Sequence, residues 1–114
     1  MEITRAYVKS ILPHRDPEGH KGTFGKVYCL CGAVGYTGAP VLAASAAVRS
    51  GSGLVFLGVP KDIWPIVAVK CDSAMPSPLP SQQGKLALAA EDAVRARIDG
   101  CDAVLIGCGM GRSE

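Results

Sequence analysis

Apolar positions along the chain gather into short continuous runs, separated by longer segments with helical spacing. Val27 to Cys31 is one such run, Leu54 to Val59 a second and Ala103 to Ile106 a third. Runs of this length without polar alternation predict strands covered on both faces. Thr4 predicts the cap of a short first helix, which extends to about Leu12 and stops at Pro13. Val41 to Ser50 reads as an Ala-rich helix ended by Gly51 and Gly53. Pro40 is predicted at its first position, where a fixed φ and a missing N–H are tolerated. Asp62 predicts the cap of another short helix through Val69, with Pro65 inside its first turn. Leu86 to Ile98 has amphipathic spacing. Leu86, Ala90, Ala93 and Val94 share one face, Glu91, Asp92 and Arg95 another, and Gly100 marks the stop.

The connections carry the turn chemistry. His14 to Gly25 is a polar loop, and Gly32 to Gly38 is a turn with glycines spaced G-x-x-G-x-x-G. Ala74 to Gln83, with Pro76, Pro78 and Pro80, reads as a loop with room for a short strand near Ala74 to Pro76. Strands alternating with helices predict right-handed βαβ units around a parallel sheet, an α/β fold. The loop after the third strand opens at CGMGRSE, and no helix follows it within the 114 residues. Three or four strands with only about three helices predict an incomplete domain, truncated after Glu114. Such a piece is expected to be marginally stable alone or to associate through its open sheet edge.

Composition narrows the classes. Apolar residues make up 48% and charged residues 19%, the balance of a globular chain. A net charge of +2, with no Lys/Arg cluster interleaved with aromatics, argues against nucleic acid as a partner. No apolar stretch has the length to span a membrane, because Val27 to Val48 is interrupted by glycines and a proline. The first residues lack the apolar run of a signal peptide. Together with five cysteines this predicts a reducing, cytoplasmic setting.

Candidate chemistry lies in the two glycine-rich loops. The Gly32-Gly35-Gly38 turn allows close backbone approach to a ligand, and the helix after it offers unpaired N–H groups to an anion. The same pattern also reads as a plain tight turn. It is not the G-x-G-x-x-G of a Rossmann dinucleotide fold, and Leu54 to Pro60 ends without the acidic residue such a fold places on the ribose. Gly107 to Gly111 follows a strand, so it belongs on the same sheet edge. It reads equally as a ligand loop or a glycine-rich turn. In HKGTFGK, Lys21 and Thr23 have the chemistry to meet an anion, but the loop reads better as shaping the approach to the first strand. His14 and His20 read as loop residues, and no Ser or Cys has an evident base partner. Cys29 and Cys31 share one strand face. Cys71, Cys101 and Cys108 supply no second pair at zinc spacing, so buried free thiols are expected and no metal site.

Three segments, HKGTFGK, GYTGAPVLAASAAVRSGSGLV and DAVLIGCGMGRSE, resemble the NAD(P)HX dehydratase family in order and spacing. The upstream LPHRD and the proline-containing VKCDSAMPSPLP agree, so the resemblance covers nearly the whole chain. It implies a ribokinase-like fold, with residues 1–114 as the N-terminal, substrate-side portion of one domain. It implies an enzyme that uses ADP or ATP, with Mg2+, to dehydrate NADHX and NADPHX to NADH and NADPH. It implies that the nucleotide phosphorylates the added hydroxyl and that loss of phosphate restores the ring. The full-length protein is expected to be a homo-oligomer. By the same resemblance Ala39 and Gly109 contact substrate. Ala39 follows the turn glycine, where a small residue leaves room for a ligand. Gly109 falls in the family's Gly-Pro-Gly-Leu-Gly, with Cys108 in place of the proline. The family's Gly-x-Gly-Asp segment does not occur, so no catalytic residue is expected in this chain, and the 114 residues are expected to be inactive alone. The alternatives are a vitamin or sugar kinase of the same superfamily and a non-catalytic binding fragment. The GYTGAPVLAASAAVRSGSGLV segment favours the dehydratase.

Overall fold

The computed structural model describes residues 1–112; Ser113 and Glu114, where the sequence reading sets a break in the domain, lie outside the described residues. Four strands form one parallel sheet: β1 (Lys26–Leu30), β2 (Leu54–Pro60), β3 (Met75–Leu79) and β6 (Ala103–Ile106). Their order is β3-β2-β1-β6. A two-stranded antiparallel hairpin, β4 (Ser81–Gln82) and β5 (Lys85–Leu86), follows β3. The βαβ reading therefore holds, with β1 at the centre paired to both β2 and β6.

Each face of the sheet has its own core. On one face Cys29, Cys31, Val55, Leu57 and Val59 pack against Ala44 of α2 (Gly38–Arg49) and against Ile63 and Val67 at α3 (Trp64–Ala68). On the other face Tyr28, Leu30 and Leu79 meet Ala90, with Leu86, Val94 and Ile98 against them. Val94 and Ile98 come from α4 (Glu91–Ile98). The alternation of Tyr28 and Leu30 with Cys29 and Cys31 is the strand period dividing one apolar run between two faces.

Several element boundaries differ from the sequence reading, each for a physical reason. Helix α2 begins at Gly38, so Pro40 is its third residue and not its first. A proline fits there because the opening N–H groups of a helix have no intrahelical acceptor. Asp62 does not cap α3. Ile63 holds that position, and the Asp62 carboxylate accepts from the Ser81 hydroxyl instead. The amphipathic segment starts its α-helix only at Glu91. Leu86 belongs to β5, Leu88–Ala90 form a single 3-10 turn, and Ala93 is exposed. Thr4 does cap α1 (Arg5–Ile11), its hydroxyl oxygen accepting from the Tyr7 N–H at 3.1 Å.

The proline-rich segment is the largest departure. Met75 to Leu79 pairs in parallel register with β2, with Pro76 opposite Leu57 and Pro78 opposite Val59. Two prolines at strand spacing place both missing donors on the same side, the open side of an edge strand. The outward carbonyl of Pro76 accepts from the Trp64 indole N–H at 3.0 Å, which blunts that edge. At the other edge, β6 leaves all four residues exposed, contrary to a strand covered on both faces. An apolar run specifies a strand without specifying its neighbours. Among the described residues, no helix is long and apolar enough to cross a membrane.

Candidate functional site

The carboxyl edge of the sheet gathers both glycine-rich loops. Past Leu30, the Gly32 N–H donates to the Cys108 carbonyl at 2.9 Å, and the Gly107 N–H donates to the Leu30 carbonyl at 3.3 Å. These bonds extend the β1–β6 ladder beyond the strands and hold the loops side by side. Gly32 has φ +89, and an added Cβ there would lie 2.7 Å from Ile63 Cδ1. Conformation and space both require glycine. The chain then turns tightly, Tyr36 N–H donating to the Ala33 carbonyl at 2.9 Å around Gly35 at φ +88.

Ala39 is the second residue of α2, and Gly109 faces it across the two loops. A Cβ on Gly109 would lie 2.6 Å from Ala39 Cβ and 3.1 Å from Tyr36 Cβ. The structure thus brings together the two residues that the sequence reading places at substrate. Around them the surface is open: an added Cβ on Gly35, Gly38 or Gly107 would meet no atom within 4 Å. Thr37, before the helix, makes no side-chain capping bond. The N–H groups of Gly38 and Ala39 have no intrahelical acceptor, so a ligand at this edge meets free donors at the positive end of a helix.

The β4–β5 hairpin closes one side of the edge. The Val34 N–H donates to the Gly84 carbonyl at 2.8 Å. Between this hairpin and the 110–112 segment lies a cleft of about 760 Å³. Lys85 reaches across it, its Nζ donating to the Arg112 carbonyl.

Cys31 lies under the same loops. It is fully buried, and burial pushes its thiol from 9.0 up to about 12, with neighbouring Cys108 and Cys29 adding to the rise. Burial raises Cys29 as well, with a further contribution from Cys108. Both are core thiols, protonated near neutral pH, whereas Cys108 is exposed. No three His, Cys, Asp or Glu side chains come together as a metal site among the described residues.

Lys21 and Thr23 are not part of this edge. Their loop lies at the amino ends of the strands, where Gly53 N–H donates to the Gly25 carbonyl at 3.0 Å and Lys26 N–H to Asp102 Oδ2 at 2.7 Å. Thr23 Oγ1 accepts from the His20 N–H at 3.3 Å, and His20 Nδ1 from the Gly22 N–H at 3.1 Å. This loop shapes the approach to β1. Sequence reasoning did not place Tyr36 and Lys85 beside these loops. Tyr36 is an exposed aromatic between two turn glycines, a signal visible in GYTGA. Lys85 shows no signal of its own, because its place depends on a hairpin that the sequence reading took for a loop and a helix.

A family whose description is NAD(P)H-hydrate dehydratase matches residues 27–114. The bifunctional NAD(P)H-hydrate repair enzyme Nnr of Moorella thermoacetica is 40% identical over 111 residues, which are 96% of this chain and 21% of that protein. The structure of the ADP/ATP-dependent NAD(P)H-hydrate dehydratase of Bacillus subtilis, co-crystallized with ATP/Mg2+, superposes with a TM-score of 0.65 at 25% identity, over 94% of this chain and 45% of that one. A ribokinase-like superfamily protein of Enterococcus faecalis gives 0.75 at 21% identity, over 97% and 36%, and speaks to the fold alone. The fold is ribokinase-like, and the chain spans about a fifth of the length of the first curated relatives it matches.

Proposed function

The chain belongs to the NAD(P)H-hydrate dehydratase family, and on that premise we propose that it is the substrate-side part of an ADP- or ATP-dependent enzyme that dehydrates NADHX and NADPHX to NADH and NADPH. The observation that carries this reading is the meeting of Ala39 and Gly109 at the carboxyl edge of the sheet. Ligands of open α/β sheets bind at that edge. Two residues 70 positions apart contribute almost no side-chain bulk there, which favours a ligand lying against backbone.

The residues of this chain bind and orient the substrate. Free N–H groups at Gly38 and Ala39 suit an anionic or carbonyl oxygen, and the glycines on either side let the ring system approach the main chain. The nucleotide, when bound, supplies the phosphoryl group that makes the added hydroxyl a leaving group. We assign no residue of this chain to ADP, ATP or Mg2+, nor to proton transfer.

The test is Ala39→Trp in the full-length gene product. A bulky side chain at this contact raises KM for NADHX by roughly tenfold or more and leaves nucleotide affinity unchanged. An unchanged KM for NADHX removes Ala39 from the substrate site.

A further inference from the structure

We propose that Lys85 is a specificity-determining residue for this same substrate, its ammonium binding a phosphate of the dinucleotide in the cleft lined by Met110 and Gly111, next in the chain after Gly109. The inference rests on the substrate reading above and adds to it the group that recognises charge. The cleft of about 760 Å³ is lined by Gln82, Gln83, Lys85, Met110, Gly111 and Arg112 among others, and no carboxylate is among its described lining residues. Two cationic residues therefore line one cavity whose other described lining residues are amide or apolar. Arg95–Glu91 is the ion pair found among the described residues, and it lies on α4. Like charges sharing a cleft repel, and a bound anion relieves the repulsion.

The hairpin fixes where Lys85 points. Gln82 pairs with Lys85, so Gln83 and Gly84 form a two-residue loop, with φ of 51 and 73. Two positive φ values are the signature of the type I′ turn that suits a tight hairpin. Gln83 is the one non-glycine residue with positive φ among the described residues, and Gly84 beside it packs close to Val34. A Cβ on Gly84 would lie 2.6 Å from Val34 Cγ2. Lys85 is half-buried, and its stem runs along Gly111, where an added Cβ would come within 3.3 Å of Lys85 Cε. One ammonium donor goes to the Arg112 carbonyl. Lysine has three, so two remain for phosphate oxygens.

The phosphate has two possible sources with the same chemistry: the pyrophosphate common to NADHX and NADPHX, or the 2′-phosphate that only NADPHX carries. Lys85→Met keeps the stem and removes the charge, and Lys85→Arg restores a cation. In the full-length gene product, Lys85→Met raises KM roughly tenfold with kcat little changed, and Lys85→Arg recovers most of the loss. A rise for both substrates assigns the pyrophosphate, and a rise for NADPHX alone assigns the 2′-phosphate. Equal KM values for wild type and Lys85→Met overturn the proposal, as does a fall in kcat alone, which would make Lys85 only a strut for Gly111. Calorimetric titration with inorganic pyrophosphate separates this from the activity reading. If the wild type turns over neither substrate, the dehydratase reading fails. Even then, pyrophosphate binding that weakens in Lys85→Met upholds the anion site, and binding that is absent or unchanged overturns it.

Discussion

Ala39 Cβ stands 2.6 Å from the point that a Cβ on Gly109 would occupy, so α2 and the loop after β6 meet with one side-chain carbon between them. Gly109 also has φ +66. Gly109→Ala therefore suffers twice, from overlap and from a left-handed backbone, and is expected to lose roughly 1–3 kcal/mol. Adding Ala39→Gly removes the overlap but not the strain. The double variant is expected to recover part of the loss, seen as non-additivity in urea unfolding of the full-length gene product. Strict additivity would mean that the two residues do not touch.

Gly58 and Tyr28 make a second close pair, in the middle of the sheet. A Cβ on Gly58 would overlap the Tyr28 hydroxyl and lie 2.8 Å from Leu79 Cδ1. Both neighbours are buried, with little room to yield. Gly58→Ala is expected to cost about 1–3 kcal/mol. Tyr28→Phe, which removes the overlapping oxygen, is expected to make that cost smaller. A Gly58→Ala variant as stable as the wild type would contradict this packing.

Much of this was legible in the chain. Val27 to Cys31, Leu54 to Val59 and Ala103 to Ile106 read as strands because continuous apolar runs have few other uses at that length. Ala39 and Gly109 were singled out by resemblance, and their adjacency follows from topology, since loops after parallel neighbours β1 and β6 emerge on one edge. The short strand expected near Ala74 to Pro76 is the start of β3, but its run on to Leu79 was hidden because two prolines weigh against a strand unless the strand is known to be an edge. Leu86 looked helical because its spacing to Ala90 and Val94 fits a helix. It is partly buried against the same core as Val94, but from a hairpin. Spacing records which residues face a core, and two different backbones can deliver the same faces.

Cys31 makes stability depend on pH in the alkaline range. Burial raises its thiol from 9.0 to about 12, so the folded chain keeps a proton that the unfolded chain releases. The contribution is fully present below about pH 9 and is lost as pH rises toward about 12. The steepest slope is roughly 1.4 kcal/mol per pH unit for one such group. Urea unfolding at several pH values from neutral upward should show the decline, and Cys31→Ala should flatten it. An identical slope in that variant would assign the effect to Cys29 or Tyr28, both also raised by burial.

Trp64 bears on the opposite edge of the sheet. Its indole N–H donates to the outward carbonyl of Pro76 at 3.0 Å, and among the described residues β3 is an edge strand of the sheet. Pro76 and Pro78 already deny a second chain two donors, and the indole occupies an acceptor, so little remains for another strand to pair with. Trp64→Phe keeps an aromatic ring and removes only the donor. The expected loss is about 0.5–1.5 kcal/mol, the net worth of one hydrogen bond. A more specific sign is faster amide hydrogen exchange at Ser77 and Leu79, whose N–H groups face β2. Freeing the edge loosens the β2–β3 pairing before it affects the central β1–β2 ladder. Unchanged exchange at both amides would show that the prolines alone protect the edge.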